Sequence, residues 1–358
     1  MNTTKTEGIN YAGSKLKLIP YIMEMVSELR GIDTVLDGFS GSTRVSQVFA
    51  LNGFEVTSND ISDWSEVFGN CYLKASQSDS YYKSLIDHLN GLNGYEGWFT
   101  THYGGSVTDS KKPFRIHNTM KLDVIREEID RLNLSFEDKC VALTSLIQAL
   151  DRVDNTLGHY AAYLSKWSVR SAKEMQLKVP AIVRSGKNHK VIKGDIFDTV
   201  AQHSFDLAYL DPPYGSNNEK MPPSRIRYAA YYHLWTTIIR NDKPEIFGKV
   251  NRRSDTRDGL SASVFEEFRK NKNGDFIAMD ALRKLIQQTN ARYIVLSYSS
   301  GGRATQEQLL HIISENAKLI DVKKIDYRKN IMSTLRSTNE WISNDEKHQE
   351  YIFLMEKI

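Results

Sequence analysis

Asp206-Leu207-Ala208-Tyr209-Leu210-Asp211-Pro212-Pro213-Tyr214 is the stretch on which the reading of this chain turns. A short apolar run bounded by turn residues reads as a buried strand. Asp-Pro-Pro stops it, because proline fixes φ and has no amide hydrogen for a strand ladder. Working outward, Thr34-Val35-Leu36-Asp37 is a second strand, followed by the turn Gly38-Phe39-Ser40-Gly41-Ser42 and a helical run from Thr43. Phe54-Glu55-Val56-Thr57 is a third, ending at Asn59-Asp60, and Tyr293–Ser297 and Glu350–Met355 are two more. Strands separated by helices predict an α/β fold with a doubly wound, Rossmann-like sheet. Between Asp60 and about Lys190 the texture becomes helical, with Leu122, Ile125, Ile129 and Leu132 at helical spacing. The predicted division is a sheet domain of residues 1–62 and 190–358, with a mostly helical insertion over 63–189. Neither an internal repeat nor a low-complexity linker separates them, so the insertion is expected to pack on the sheet domain.

The bulk composition narrows the class. With 358 residues there is room for one sizeable α/β domain and a further module. At 40% apolar and 25% charged residues the chain is globular, and a net charge of +3 does not by itself point to nucleic acid. Cys71 and Cys140 are far apart and have no histidines at zinc-ligand spacing. A disulfide framework and a metal site are therefore not expected, and a reducing cytoplasm is. The N-terminus lacks the apolar core of a signal peptide, and no apolar run is long enough to span a membrane. A soluble cytoplasmic protein, monomeric by default, is the expectation.

The chemistry sits where the strands end, which is where open α/β sheets handle ligands. An exocyclic adenine nitrogen is a poor nucleophile, since its lone pair is delocalised into the ring. An Asp carboxylate and a proline carbonyl can each accept one of its hydrogens, drawing the amine towards tetrahedral and localising the lone pair. Prolines 212 and 213 would hold that carbonyl preorganised, and Tyr214 would offer a flipped base a stacking surface. The plain alternative is a rigid turn. Asp37-Gly38-Phe39-Ser40-Gly41-Ser42 is a glycine turn from strand to helix, where backbone can approach a ligand, or simply a tight turn. Asp60, at the end of the next strand, holds the position that grips ribose hydroxyls, or else caps a helix. Asn10-Tyr11-Ala12-Gly13-Ser14-Lys15 reads either as a carboxylate-holding element with Lys15 supplying charge or as an exposed turn into a helix over Leu16–Leu29.

Taken in order, Tyr11-Ala12-Gly13-Ser14-Lys15, Asp37-Gly38-Phe39-Ser40-Gly41-Ser42, a helical insertion and Asp211-Pro212-Pro213-Tyr214 resemble the alpha group, or D12 class, of adenine-N6 DNA methyltransferases. That group includes the Dam methylases and the FokI-type branch, which this chain resembles most. Gly194-Asp195-Ile196-Phe197, Phe114-Arg115, Leu122-Asp123-Val124-Ile125-Arg126 and Ser297-Tyr298-Ser299-Ser300 add to the likeness. The resemblance implies a site-specific enzyme that moves a methyl group from S-adenosylmethionine to N6 of a flipped adenine in double-stranded DNA. It further implies catalysis by Asp211, Pro212, Pro213 and Tyr214. Tyr11, Gly13 and Lys15 would meet the methionine end of the cofactor. Asp37, Phe39, Ser40 and Gly41 would border it, Asp60 would hold the ribose, and Asp195 with Phe197 or its neighbour would hold the adenine ring. Ser42 stands where the family usually carries a further glycine or small residue.

Residues Asp151 to Lys193 carry nine Lys/Arg against three Asp/Glu, interleaved with Tyr160, Tyr163 and Trp167. A cluster of that kind suits DNA phosphates, or is a solvated face. Ser216 to Asp258 adds Arg225, Arg227, His233, Trp235, Arg252 and Arg253 and is expected as a polar loop that orders on DNA. An RNA methyltransferase would usually lack the Tyr-x-Gly-x-Lys element and the large insertion, and a protein-glutamine enzyme would begin the tetrapeptide with Asn. A silent DNA-binding subunit would not need the tetrapeptide intact. The reading favoured is direct methyl transfer without a covalent intermediate, within a restriction–modification system in which any endonuclease partner would be a separate protein.

Overall fold

The computed structural model describes residues 5–109, 111–215, 227–257, 263–327 and 348–358. Its strands are β1 (Thr34–Asp37), β2 (Glu55–Asp60), β3 (Gly104–Gly105), β4 (Phe114–Arg115), β5 (Lys190–Lys193) and β6 (Phe205–Leu210). β7 (Ile246–Phe247), β8 (Arg252–Arg253), β9 (Ala291–Ser299), β10 (Ala317–Tyr327) and β11 (His348–Lys357) follow. The chain forms two compact units. One comprises Met1–Ile19, Ser40–Asp195 and Tyr228–Ser261; the other comprises Pro20–Phe39, Ile196–Arg227 and Ala262–Ile358. Among the described residues no helix is long and apolar enough to cross a membrane.

In the second unit the strand order is β10-β11-β9-β6-β1. β1 pairs parallel with β6, and β6 parallel with β9, with Asp37 opposite Tyr209 and Leu210 opposite Leu296. This is the parallel arrangement expected from short apolar runs buried on both faces. Leu36, Ala208, Leu210, Ile294, Leu296 and Phe353 are all essentially inaccessible and form the core with the helices that cover the sheet. The helix Ile277–Gln288 buries Ala278, Met279, Ala281, Leu282, Leu285 and Ile286, a stripe at helical spacing. The helix Gln306–Asn316 starts in a reciprocal cap, Gln308 N–H donating to the Thr305 side chain and Thr305 N–H to the Gln308 side chain.

Two features of this sheet go beyond the expectation. β11 runs antiparallel to both of its neighbours, β9 and β10. An apolar run buried on both faces reads the same in either direction, so its sense is not visible in the sequence. β10 carries Lys318, Asp321, Lys323, Lys324 and Asp326 among its apolar residues. That charge density suits an edge strand and hides it from a hydropathy reading.

In the first unit β2 pairs parallel with β5, Asp60 lying opposite Lys193. The helix Phe136–Asp151 is buried along its whole length from Cys140 to Asp151 and is the unit's central helix. It starts at Ser135, whose side chain accepts from Asp138 N–H. The Asp123 carboxylate accepts from Gly97, Phe99 and Thr100 N–H and from the Thr100 hydroxyl, capping the helix Trp98–Tyr103. Arg126, 1% exposed, donates to the carbonyls of Ile238 and Ile239 at the end of the helix His233–Arg240. The stretch after the tetrapeptide corrects one expectation. Its described part contains two helices, Tyr228–Tyr231 and His233–Arg240, with His233, Leu234, Trp235 and Ile238 buried. Arg253 is buried too and forms a two-pronged pair with Asp242. The apolar residues recur at helical spacing, which outweighed the polar average. Arg225 lies outside the described residues.

Candidate active site

Asp211 follows β6 directly, two positions beyond the residue paired with Asp37. Pro212 is buried, and Asp211, Pro213 and Tyr214 are half-buried. The Tyr214 hydroxyl donates to Asp211 Oδ1, and Glu350 Oε2 on β11 lies 3.4 Å from the same hydroxyl. Burial, then the charges of Asp211 and Glu350, hold the Tyr214 phenol well above its usual value, so it remains a donor at neutral pH. The Tyr214 ring lies 4.8 Å from Tyr298 at 52°. Its carbonyl accepts from Arg303 N–H at 3.0 Å and the Tyr298 hydroxyl at 3.3 Å. Gly215 has φ +63°, and a β-carbon there would come within 2.5 Å of Arg303 Nε, so any other residue after Tyr214 would be strained and would displace the Arg303 side chain.

The turn after β1 begins with Gly38 N–H donating to the Tyr209 carbonyl at 2.9 Å. A β-carbon on Gly38 would meet Leu210 Cδ2 at 2.8 Å and Ile196 Cδ1 at 3.0 Å, which lets this turn lie against the end of β6. Asp37 is 1% exposed. Phe39 packs edge-on to Phe265 at 5.3 Å, and Phe197 stacks on Phe265 at 5.8 Å with Lys284 over its ring. Phe265 thus joins two residues that the sequence singled out separately.

The other predicted residues gather in the first unit. Gly41 has φ +50°; its N–H donates to Asp60 Oδ2 at 2.9 Å and its carbonyl accepts from the Ser65 hydroxyl. Asp60 Oδ1 accepts from the Ser62 N–H and hydroxyl. A β-carbon at Gly41 would sit 2.9 Å from the Tyr11 ring, so Tyr11, Gly41 and Asp60 form one cradle. Tyr11 stacks on Tyr232 at 4.7 Å, and Tyr232 stacks on Trp235 at 4.3 Å. The Tyr232 hydroxyl accepts from Ala12 N–H at 2.6 Å. Gly13 has φ +80° and lies against the Tyr228 hydroxyl, while the buried Lys15 ammonium donates to the Gly13 carbonyl. The Tyr11–Lys15 element is therefore built into the unit and is more than an exposed turn. Ser42 does not take a left-handed conformation, whereas Thr43 does, at φ +59°. Nothing in the backbone at position 42 requires glycine. Asp195 is exposed just beyond β5.

In the basic segment the aromatics serve the fold. Tyr160 is 1% exposed, the Tyr163 hydroxyl donates to the Val250 carbonyl, and Trp167 Nε1 donates to Ser106 while Arg115 lies over its ring. Arg170 is paired with Asp154 and Lys193 with Asp63. Arg152, Lys166, Lys173 and Lys187 remain on the surface. Sequence reasoning missed Tyr228, Tyr232, Phe265, Arg303 and Glu350. The density of aromatics in Tyr228-Ala229-Ala230-Tyr231-Tyr232 was the available signal for the first two.

The family described as D12 class N6 adenine-specific DNA methyltransferase matches residues 11–299. The modification methylase StsI of Streptococcus sanguinis is 30% identical over 343 residues, covering 90% of this chain and 48% of that protein. The type II methyltransferase M.NlaIII of Neisseria lactamica is 27% identical over 98% of this chain and 99% of its own. M.FokI of Planomicrobium okeanokoites is 25% identical over 98% of this chain and 53% of its own. The chain thus spans about half the length of the StsI and FokI methylases and nearly all of the NlaIII enzyme.

Proposed function

Since this chain belongs to the D12 class of N6 adenine-specific DNA methyltransferases, we propose that it methylates N6 of an adenine turned out of double-stranded DNA, with S-adenosylmethionine as donor. It would serve as the modification enzyme of a restriction–modification system. The observation that carries this reading is the Asp211-Pro212-Pro213-Tyr214 turn at the carboxyl end of β6, beside Asp37 at the end of β1.

The donor supplies a methyl group on a positively charged sulfur. The residues present suit it: the Tyr11, Gly41 and Asp60 cradle approaches so closely that a side chain at Gly41 would be excluded. In this reading Tyr11, Gly13 and Lys15 receive the methionine end, and Asp37, Phe39, Ser40 and Gly41 border the cofactor. Asp60 receives the ribose, and Asp195 and Phe197 receive the adenine ring. Asp60 keeps capacity for this, because a carboxylate offers about four acceptor sites and the described bonds use three.

At the target base, Asp211 accepts one hydrogen of the exocyclic amine and a proline carbonyl of the tetrapeptide accepts the other. The lone pair is thereby localised and aimed at the methyl carbon. When bound, the donor would supply the methyl carbon and its sulfur would keep the electron pair of the broken carbon–sulfur bond; Asp211, already holding one amine hydrogen, would accept the proton that the nitrogen loses. The ring of Tyr214 supports the extruded base. Neither cysteine suits nucleophilic attack: both are buried, and desolvation pushes the Cys71 thiol up to about 12 and that of Cys140 upward as well. Direct transfer is the mechanism that remains.

Residues 63–189 act in this reading as the target-recognition domain, and surface cations such as Arg152, Lys166, Lys173 and Lys187 meet phosphates. A monomer in the cytoplasm, acting beside a cognate endonuclease, completes it. The test is transfer from labelled S-adenosylmethionine to unmethylated DNA, followed by nucleoside analysis. Label in N6-methyladenine supports the proposal; label in RNA or protein in place of DNA overturns the substrate.

A further inference from the structure

One hydroxyl hydrogen on Tyr214 faces two carboxylates. It is donated to Asp211 Oδ1, and Glu350 Oε2 stands within reach at 3.4 Å. A phenol has a single hydrogen, so it serves one carboxylate fully at a time. While that hydrogen rests on Asp211, it draws on the electron density that the amine hydrogen of a target base must compete for. Glu350 is fixed by its strand, opposite Ser299 in the β11–β9 register. The carbonyl of Tyr214 is pinned by Arg303 N–H and the Tyr298 hydroxyl. The phenol can therefore change partner by a small ring movement and rotation of its hydroxyl, without moving the tetrapeptide backbone. Asp37 ends β1, Asp211 follows the last residue of β6, and Glu350 lies opposite Ser299 at the end of β9, which puts the three carboxylates at one end of the strands.

We propose that Glu350 is a positioning residue for methyl transfer: it draws the Tyr214 hydroxyl off Asp211, so that Asp211 accepts a hydrogen of the exocyclic amine instead. The proposal rests on the adenine-methylating reading above. Glu350 itself touches neither base nor donor in this account and acts only through Tyr214.

Single-turnover methyl transfer tests it in two backgrounds. Glu350→Ala is expected to slow transfer about tenfold, the effect of losing one charge-assisted hydrogen bond, with donor affinity within about twofold of the native chain. Glu350→Gln keeps the shape and loses the charge, so it shows a smaller loss and serves if the alanine variant does not fold. Tyr214→Phe has no hydrogen to draw off and is expected to stay within about tenfold of the native rate. In that background Glu350→Ala or Glu350→Gln should change the rate less than about twofold. Equal losses in both backgrounds, native rates in both Glu350 variants, or an inactive Tyr214→Phe would each overturn the proposal. A native chain that methylates no adenine overturns the functional reading together with this one, whereas native activity with equal losses removes this one alone.

Discussion

Gly41→Ala perturbs the cofactor cradle at its tightest point. The residue sits at φ +50°, where a β-carbon costs about 1–2 kcal/mol. That carbon would also lie 2.9 Å from Tyr11 Cε1 and 3.3 Å from its Cζ and hydroxyl oxygen. The ring has little room to retreat, because Tyr232 is stacked 4.7 Å from it and Trp235, itself stacked 4.3 Å from Tyr232, lies 6.5 Å from it. Displacing one aromatic pair removes about 0.5–1.5 kcal/mol, so the total is roughly 2–3 kcal/mol. For a chain of this length that lowers the midpoint of thermal unfolding by about 3 °C. Donor affinity is expected to fall at least about tenfold, since Tyr11 and the Gly41–Asp60 hydrogen bond move together. Calorimetric titration with S-adenosylmethionine, beside a thermal scan, measures both. Native affinity and an unshifted midpoint would refute the idea that this turn and Tyr11 form one cradle.

Four further outcomes are expected. Asp211→Ala abolishes transfer while donor binding stays within about threefold of native, by equilibrium dialysis; loss of binding as well would make Asp211 structural. Tyr214→Ala reduces the fluorescence rise of a 2-aminopurine target more than it reduces donor affinity, and equal loss of both counts against a role in holding the base. Asp123→Ala removes the acceptor for four donors at the start of the helix Trp98–Tyr103 and costs about 2–4 kcal/mol in denaturant unfolding; a cost under about 1 kcal/mol would show that water replaces the cap. Asp151, raised to about 7 chiefly by burial and then by Asp154, stays protonated in the fold while the unfolded chain loses its proton near pH 4. Stability from this group is therefore lost as pH rises from about 4 to 7, by at most about 4 kcal/mol. Asp151→Asn should stabilise at pH 8 and do little at pH 4, and the reverse order in thermal scans would contradict the assignment.

What the sequence disclosed and what it hid divide along physical lines. β1, β6 and β9 were legible because a strand buried on both faces is a short apolar run with a turn at its end. The Asp211 turn was legible because two prolines after such a run allow little else. The support beneath Tyr11 was hidden, since Ala12 and Tyr232 are 220 residues apart and a contact of that range leaves no local pattern. β10 was hidden by its charges. The basic segment misled in part: Tyr160 and Trp167 sit among cations in sequence, yet burial and a backbone carbonyl claim them in the fold. Glu350 had a signal, an acid opening an apolar strand, but its value appears only once β11 is seen to bring it to Tyr214.

Mapping modified positions in unmethylated genomic DNA after incubation with the native chain and S-adenosylmethionine tests the central claim most directly. The account predicts N6-methyladenine at one recurrent short sequence and no other modified base. Methyl groups on cytosine, in RNA or in protein, with adenine in DNA left unmodified, would contradict it.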